Sequence, residues 1–276
     1  PTDLRDVWMQ AFGGYARTAY QTASRIVTLF EGNQTLQERD GAMRSRMMVV
    51  PNGVHVKRFR AIEHDPAPRR PTVALIGRVV PIKDVKTYIR AAALLRDMVP
   101  GVQVLMIGPR DEDPAYNQTC ADMVNYLGLE DTFEFTGSVD IEAVLPFIDV
   151  LALTSLSEAQ PLVMLEAGAA GIPCVATDVG ACSEIIHGRV GEFPALPAGG
   201  VITPLANPHA TAQAVAQLLH DEVLRRRCGM ALRERVRRYY NQKLVNQTYR
   251  EIYAEFNTAL TDPGATLVPR KTLVAA

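Results

Sequence analysis

From Thr72 onward, short apolar runs alternate with longer helix-like segments. The runs are Thr72 to Ile76, Val102 to Ile107, Thr132 to Phe135, Asp149 to Thr154 and Ile172 to Thr177. Between them lie Val85 to Met98, Ala115 to Leu127, Ile141 to Phe147 and Pro161 to Ala170. Strands alternating with helices imply βαβ units, and runs this continuously apolar suit strands covered on both faces. The expected class is α/β, a doubly wound parallel sheet with helices on both faces. Ligands of such sheets lie beyond the carboxyl ends of the strands, so the loops that follow the strands are where function is to be sought.

The loop after the fourth run is the most informative. Ser155 to Gly171 reads S-L-S-E-A-Q-P-L-V-M-L-E-A-G-A-A-G, with Pro161 placed as a first helical residue and Gly171 just past the helix end. A helix N-terminus offers unpaired N–H groups and a partial positive charge, which suits a phosphate lying across the loop. Glu166, further along the helix, is placed to accept hydrogen bonds from a diol such as a ribose, which leaves Glu158 for whatever the phosphate carries. Taken alone, the E-x7-E spacing is equally explained by glutamates suiting a helix dipole. The loop after the first run adds weight: Gly77-Arg78-Val79-Val80-Pro81-Ile82-Lys83 carries two cations at the same sheet edge, able to neutralise a diphosphate leaving group.

Composition narrows the classes. With 276 residues, 47% of them hydrophobic, the chain can bury a large core in one or two domains. Its 29 basic and 30 acidic side chains balance, giving no pull toward nucleic acid, and the basic stretch Arg225 to Arg238 reads as a solvated helix face. Cys120, Cys174, Cys182 and Cys228 show no C-x-x-C spacing, which implies a reducing, cytoplasmic setting and no zinc site. The chain shows no membrane-spanning run and no signal-peptide pattern. The first loop lacks G-x-G-x-x-G, so a dinucleotide cofactor is not expected. Asp111-Glu112-Asp113 has the look of a metal triplet but reads as solvated charge, and metal is not expected there. His55 and His187 have no serine, cysteine or second histidine at a catalytic spacing.

The ends of the chain read differently. Thr2 to Ala23 has helical spacing, Arg25 to Phe30 is strand-like, Asn33 to Gly41 is helix-compatible, and Met47 to Pro51 is a second short strand closed by the Pro51-Asn52-Gly53 turn. A strand at Arg25 to Phe30 without partners cannot form a sheet, so this part is expected to belong with a domain lying upstream. Val54 to Pro71, with Pro66, Pro68 and Pro71, reads as a linker. Cys182 to His187, Pro208 to Leu219, Glu222 to Arg238 and Gln242 to Asn257 read as helices, and the tail after Asp262 as frayed. The expected division is residues 1–60, the end of an upstream domain with the linker; 61–238, the α/β domain; and 239–276, a last helix and tail.

The succession P-N-G-V (51–54), G-R-x-x-x-x-K (77–83), F-x-G-S-V (135–139), S-E-A-Q-P-L-V-M-L-E-A-G-A-A-G-I-P-C-V-A-T-D-V-G (157–180) and Glu184 resembles the family-4 glycosyltransferases. These are retaining enzymes of the GT-B fold, with two facing Rossmann-like domains. Val7 to Gly53 with Pro204-Leu205-Ala206-Asn207-Pro208 is more closely similar to the glycosyltransferases of Pel exopolysaccharide synthesis. The resemblance implies Arg78 and Lys83 as a diphosphate clamp, Glu166 as the ribose carboxylate and Glu158 as the carboxylate at the transferred sugar. It implies that the backbone of Ala159, Gln160, Pro161, Leu162 and Val163 contacts phosphate and sugar, and that Gly137, Ser138 and Val139 lie near the base. The implied donor is a nucleotide diphosphate sugar, a UDP-sugar, used without cofactor or metal. The implied partners are a polysaccharide acceptor and a membrane-bound polysaccharide synthase complex, which would hold the protein at the inner membrane. A binding module without turnover is the competing reading. Three positions depart from the family pattern: Ala159-Gln160 where Gly-Phe is usual, and Asp84 where glycine follows the lysine.

In that architecture the last helix crosses back to the first domain, and Leu244, Tyr249, Ile252, Tyr253 and Phe256 give it a broad apolar face. Limited proteolysis of the isolated chain should trim residues 1–53 and the segment after Gln242 before it cuts Thr72 to Arg238. Ends as resistant as the middle would mean that the terminal segments are integral to a single domain.

Overall fold

The computed structural model describes residues 5–62 and 69–261. The stretch holding Pro66 and Pro68, and the tail after Asp262, lie outside these residues. In chain order the elements are α1 (Arg5–Thr22), β1 (Ile26–Thr28), α2 (Glu31–Arg39), β2 (Met47–Val49), α3 (Val56–Arg60), β3 (Thr72–Ile76), α4 (Val85–Met98), β4 (Gln103–Ile107), α5 (Pro114–Tyr126) and β5 (Phe133–Gly137). They continue with α6 (Ile141–Val144), β6 (Val150–Leu153), α7 (Leu162–Ala170), β7 (Cys174–Thr177), α8 (Cys182–His187), β8 (Gly200–Thr203), α9 (Pro208–His220), α10 (Glu222–Tyr239) and α11 (Gln242–Thr261). Contacts divide the chain into two units. Gly53–Gln242 forms one, and the residues up to Asn52 with those from Lys243 form the other.

The larger unit is built on a six-stranded parallel sheet in the order β5-β4-β3-β6-β7-β8. The parallel α/β sheet expected from the alternation is present, but with one more strand than the five apolar runs suggested. The addition is Gly200–Thr203, only four residues long and opening on a glycine at φ 155°. Its pairing to Cys174–Thr177 is what makes it a strand, and that neighbour lies outside any local window. A second difference is α3, a five-residue helix inside what read as a linker.

Strands β6 and β7 are buried along their whole length, because helices cover both faces. Tyr88 of α4, wholly buried, sets its hydroxyl between the carbonyls of Val73 and Leu105 at 3.1 and 3.2 Å, fastening α4 across β3 and β4. Burial holds its phenol well above the ordinary range. Asp149 accepts from both Arg69 terminal nitrogens at 2.9 and 3.0 Å and from the Thr72 N–H at 2.9 Å, joining the starts of β3 and β6. The ends of the unit are laced together: the Val54 N–H donates to the Tyr240 carbonyl at 2.8 Å, and the Gln242 N–H to the Val54 carbonyl at 3.0 Å.

In the smaller unit β1 and β2 pair in parallel, Ile26 opposite Met47 and Thr28 opposite Val49. This corrects the expectation that the strand at Arg25 to Phe30 has no partner. Helix α2 is the crossover of this βαβ unit, whose three elements were each read from the sequence but not as one pairing unit. Two strands alone are marginal, and here they are covered by α11. Met48, Val50, Val245 and Ile252 form a buried cluster, with Val27, Tyr249 and Phe256 packed on it. Of the face expected on α11, Leu244 and Tyr253 stay exposed, at 44% and 65%.

One buried ion pair holds the segment between α8 and β8. Arg235 of α10, with no exposed surface, donates Nε and Nη2 to the two Glu192 oxygens at 2.8 and 2.9 Å, and Nη1 to the Ile186 carbonyl at 2.8 Å. Its Nη2 also meets the Pro197 carbonyl at 3.1 Å. Glu192→Ala leaves a guanidinium buried without its counter-charge, and such losses run to about 3–5 kcal/mol. Because backbone carbonyls remain as acceptors, urea denaturation should show a loss near the lower end, about 3 kcal/mol. A loss below about 1 kcal/mol would mean that the pair contributes no more than a surface bridge.

Candidate functional site

The carboxyl ends of β3, β6 and β7 come together because their loops are tied to one another. The Thr154 hydroxyl, buried at the end of β6, lies 3.0 and 3.1 Å from the carbonyls of Lys83 and Asp84, and the Leu156 N–H donates to the Ile82 carbonyl at 2.8 Å. The Thr177 hydroxyl, at the end of β7, donates to the Ser155 carbonyl at 2.6 Å, and the Ala181 N–H to the Ala159 carbonyl at 2.9 Å. Gly180 completes the junction. At φ 53°, a Cβ there would sit 2.1 Å from the Glu158 carbonyl oxygen, so only glycine lets the two loops approach this closely.

The loop after β3 turns sharply into α4. Asp84, at the position where the resemblance led us to expect glycine, lies in the left-handed region at φ 45° and caps α4, accepting from the Thr87 N–H at 3.3 Å. Aspartate is one of the few side chains that tolerate this conformation, and the cap bond offsets part of its cost. The turn that glycine would make is thus kept. It sends the Lys83 side chain back over Gly77, where a Cβ would lie 3.4 Å from Lys83 Cε.

Lys83 ends on Glu158. The Nζ to Oε1 distance is 2.5 Å, both side chains are largely buried, and the Ser155 hydroxyl donates to the same oxygen at 2.7 Å. Two residues given separate tasks from the sequence are therefore one ion pair. Arg78 goes elsewhere: its Nη1 pairs with Glu112 Oε1 at 2.5 Å on the open surface. Each cation of the expected clamp thus already faces a carboxylate. The sequence reading named Glu112 in the acidic triplet and Ser155 at the start of the loop stretch, but gave neither of them a partner. Of the acidic triplet, Glu112 holds Arg78, and Asp113 caps α5 by accepting from the Tyr116 N–H at 2.9 Å.

Pro161 is the residue before α7 and not its first helical residue. Its ψ of 115° is extended, and the nine-residue helix starts at Leu162 with no side-chain cap. Gly171 ends it in the left-handed conformation at φ 83°, as its position suggested. Ala159 and Leu162 are exposed at this edge, Val163 is partly exposed, and Gln160 and Pro161 are buried. Glu166 is half-buried on α7; burial pushes its carboxyl above the ordinary range, and the charge of Arg58 on α3 opposes that shift. Arg58 itself is paired with Glu142. Its nearness to Glu166 is a consequence of α3 packing on α7, which the linker reading could not supply. Gly137, at φ 71°, ends β5 and its carbonyl accepts from the Gly108 N–H at 2.9 Å, with Ser138 and Val139 exposed beyond it. Since β3 and β4 intervene between β5 and β6, this group lies about 14 Å from the Glu158 loop by ordinary strand spacing.

All four thiols are buried and free. That of Cys182 is pushed up to about 12, first by burial and then by the charge of Glu158. Among the described residues no helix is long and apolar enough to cross a membrane.

The family model described as Glycosyl transferases group 1 matches residues 70–221, and one described as a domain of unknown function (DUF3492) matches residues 1–45. The D-inositol 3-phosphate glycosyltransferase of Nocardia farcinica is 31% identical over 221 residues, which cover 74% of this chain and 47% of the relative. The exopolysaccharide phosphotransferase SCO2592 of Streptomyces coelicolor is 29% identical over 86% of this chain and 24% of its own length. The chain spans about half the length of the first of these relatives and a quarter of the second. Among solved structures, Anabaena Alr3699/HepE in complex with UDP and glucose aligns with a TM-score of 0.77 at 20% identity, over 91% of this chain and 68% of that one. Sucrose-phosphate synthase from Thermosynechococcus elongatus gives 0.77 at 21% identity, over 91% of this chain and 62% of that one. At these identities the likeness is one of fold, the GT-B arrangement.

The Lys83–Glu158 pair changes what substitution should do. On the roles that the resemblance implies, Glu158→Ala releases the lysine charge to the phosphates, so a bare nucleoside diphosphate should bind several-fold more tightly. Glu166→Ala should weaken it by about 1.5–3 kcal/mol, the worth of hydrogen bonds to a charged acceptor. Calorimetric titration of both variants checks this, and parallel losses would mean that the two glutamates do not divide the ligand as assigned.

Proposed function

The chain belongs to the group 1 glycosyl transferases, and on that premise we propose that it carries the donor site of a retaining hexosyltransferase, moving a sugar from a UDP-sugar to a growing exopolysaccharide. The observation that carries this reading is the meeting, at the carboxyl ends of β3 and β6, of a lysine, a carboxylate and an uncapped helix N-terminus. The diphosphate would lie between Lys83, Arg78 and the first turn of α7, displacing Glu112 from Arg78. The fixed positive charge there stabilises charge as the bond from the anomeric carbon to phosphate oxygen breaks. Glu158 would orient the sugar and favour the positive charge that develops on it, while the acceptor oxygen bonds to the same face of the anomeric carbon. Glu166 would accept from the ribose hydroxyls, and the backbone from Ala159 to Val163 would contact phosphate and sugar. Gly137 to Val139 would border the base.

The choice of uridine is supported by the UDP and UDP-glucose held by the HepE structures, which share this fold. The exopolysaccharide acceptor is supported by the likeness of residues 7–53 and 204–208 to PelF and by the name of the Streptomyces relative. The inositol and malate acceptors named for other relatives mark how widely the acceptor varies in this family. With a cytoplasmic setting and a membrane-bound synthase as partner, the donor would be used where nucleotide sugars are made.

A calorimetric panel of uridine, guanosine and adenosine diphosphosugars tests the donor. UDP-sugars should bind, and a chelator should leave their affinity unchanged, because lysine, arginine and helix dipole supply the charge. Radiolabelled transfer to oligosaccharides, by the longest natural chain containing this sequence, tests turnover. Binding without transfer would favour a sugar-nucleotide-binding module, and an absolute need for a divalent metal would overturn the charge assignment.

A further inference from the structure

The carboxylate of Glu158 is held in an uneven way. Both of its donors, Lys83 Nζ at 2.5 Å and Ser155 Oγ at 2.7 Å, fall on Oε1, and among the described residues no bond reaches Oε2. Ser155 is buried at the end of β6, and its backbone is fixed in turn, its carbonyl accepting from the wholly buried Thr177 hydroxyl at 2.6 Å. On the other side of the Glu158 peptide, Gly180 approaches so closely that a Cβ there would lie 2.1 Å from the Glu158 carbonyl oxygen.

We propose that Ser155 is a positioning residue: it holds Oε1 of Glu158 so that Oε2 is presented to the hydroxyls of the donor sugar. The inference rests on the reading of Glu158 as the sugar carboxylate. The two donors on Oε1 are not equivalent. An ammonium on a four-carbon stem carries three protons and follows a carboxylate through many orientations. A serine hydroxyl offers one proton on a short arm, and here that arm is anchored at both the β6 end and the β7 end. Lys83 therefore supplies charge, whereas Ser155 supplies direction. A glutamate that lost this bond would keep its ion pair but recover side-chain freedom, which sugar binding would have to remove again.

A role of this kind separates two affinities that a merely structural role would move together. UDP tests the diphosphate contacts, and UDP-glucose tests those together with the sugar contacts. Ser155→Ala should leave UDP binding within about twofold of wild type and weaken the additional affinity for UDP-glucose by about tenfold. In a Glu158→Ala background, which has no carboxylate to direct, the same substitution should change neither affinity, so the two effects are not additive. Thermal unfolding of each variant reports whether the fold is kept. If Ser155→Ala does not fold, Ser155→Cys, which keeps a weak donor at that atom, should show a smaller loss confined to UDP-glucose.

Equal losses for UDP and UDP-glucose would overturn the proposal, as would an undiminished Ser155→Ala effect in the Glu158→Ala background. A wild-type chain that binds UDP-glucose while Ser155→Ala matches it fully would sink the positioning role and leave the donor reading standing. Failure of the wild-type chain to bind UDP at all would remove the reading on which it rests.

Discussion

A parallel sheet covered on both faces has room for charge only at the ends of its strands. Strands β6 and β7 are buried at every position, so Glu158 and Lys83 reach the surface only where those strands and β3 stop. An ionised group placed further in would meet a desolvation cost of several kcal/mol with no water to relieve it. The location of the site is thus a consequence of how the core is covered.

That edge is made rigid by short bonds between loops. Thr154 and Thr177, each at the last turn out of its strand, use their hydroxyls to capture the carbonyls of a neighbouring loop. Buried carbonyls of irregular segments need partners, and these threonines supply them where the sheet ladder has ended. The ion pair of Lys83 and Glu158 is built on that frame. With both side chains largely buried it is shielded from the screening that weakens the open pair of Arg78 and Glu112. Arg78 is accordingly the cation freer to change partner, and Lys83 the one whose charge stays tied to the carboxylate.

Away from this edge, Arg235 does for the segment between α8 and β8 what the threonines do for the site. A single guanidinium gathers one carboxylate and several carbonyls that no strand or helix could pair. Its five donors in a planar fork make arginine suited to such a task, whereas a lysine would reach fewer of them. It lies within the basic stretch that read as a solvated face. The reading fits its exposed neighbours Arg226 and Arg237 and not the residue buried among them.

The alternation of apolar runs with helical segments was enough to determine the class of fold, because strand and helix periodicities are local properties of the chain. The E-x7-E stretch, Gly171 and the cations after β3 were legible for the same reason: each is a residue type at a fixed offset from an element end. Partners distant in sequence were not legible. Lys83 and Glu158 are 75 positions apart, and only the packing of the β3 loop on the β6 loop makes them one pair. Glu112 on Arg78 and Arg58 beside Glu166 arise in the same way, from loops and helices brought side by side. Strand β8 exists only through its neighbour, since four residues hold too little periodicity to declare themselves, and β1 and β2, though legible as strands, were not legible as a pair. Sequence alone therefore placed these charged groups at the ends of the strands, and tertiary structure decided which of them pair, because pairing depends on distances that no local pattern encodes.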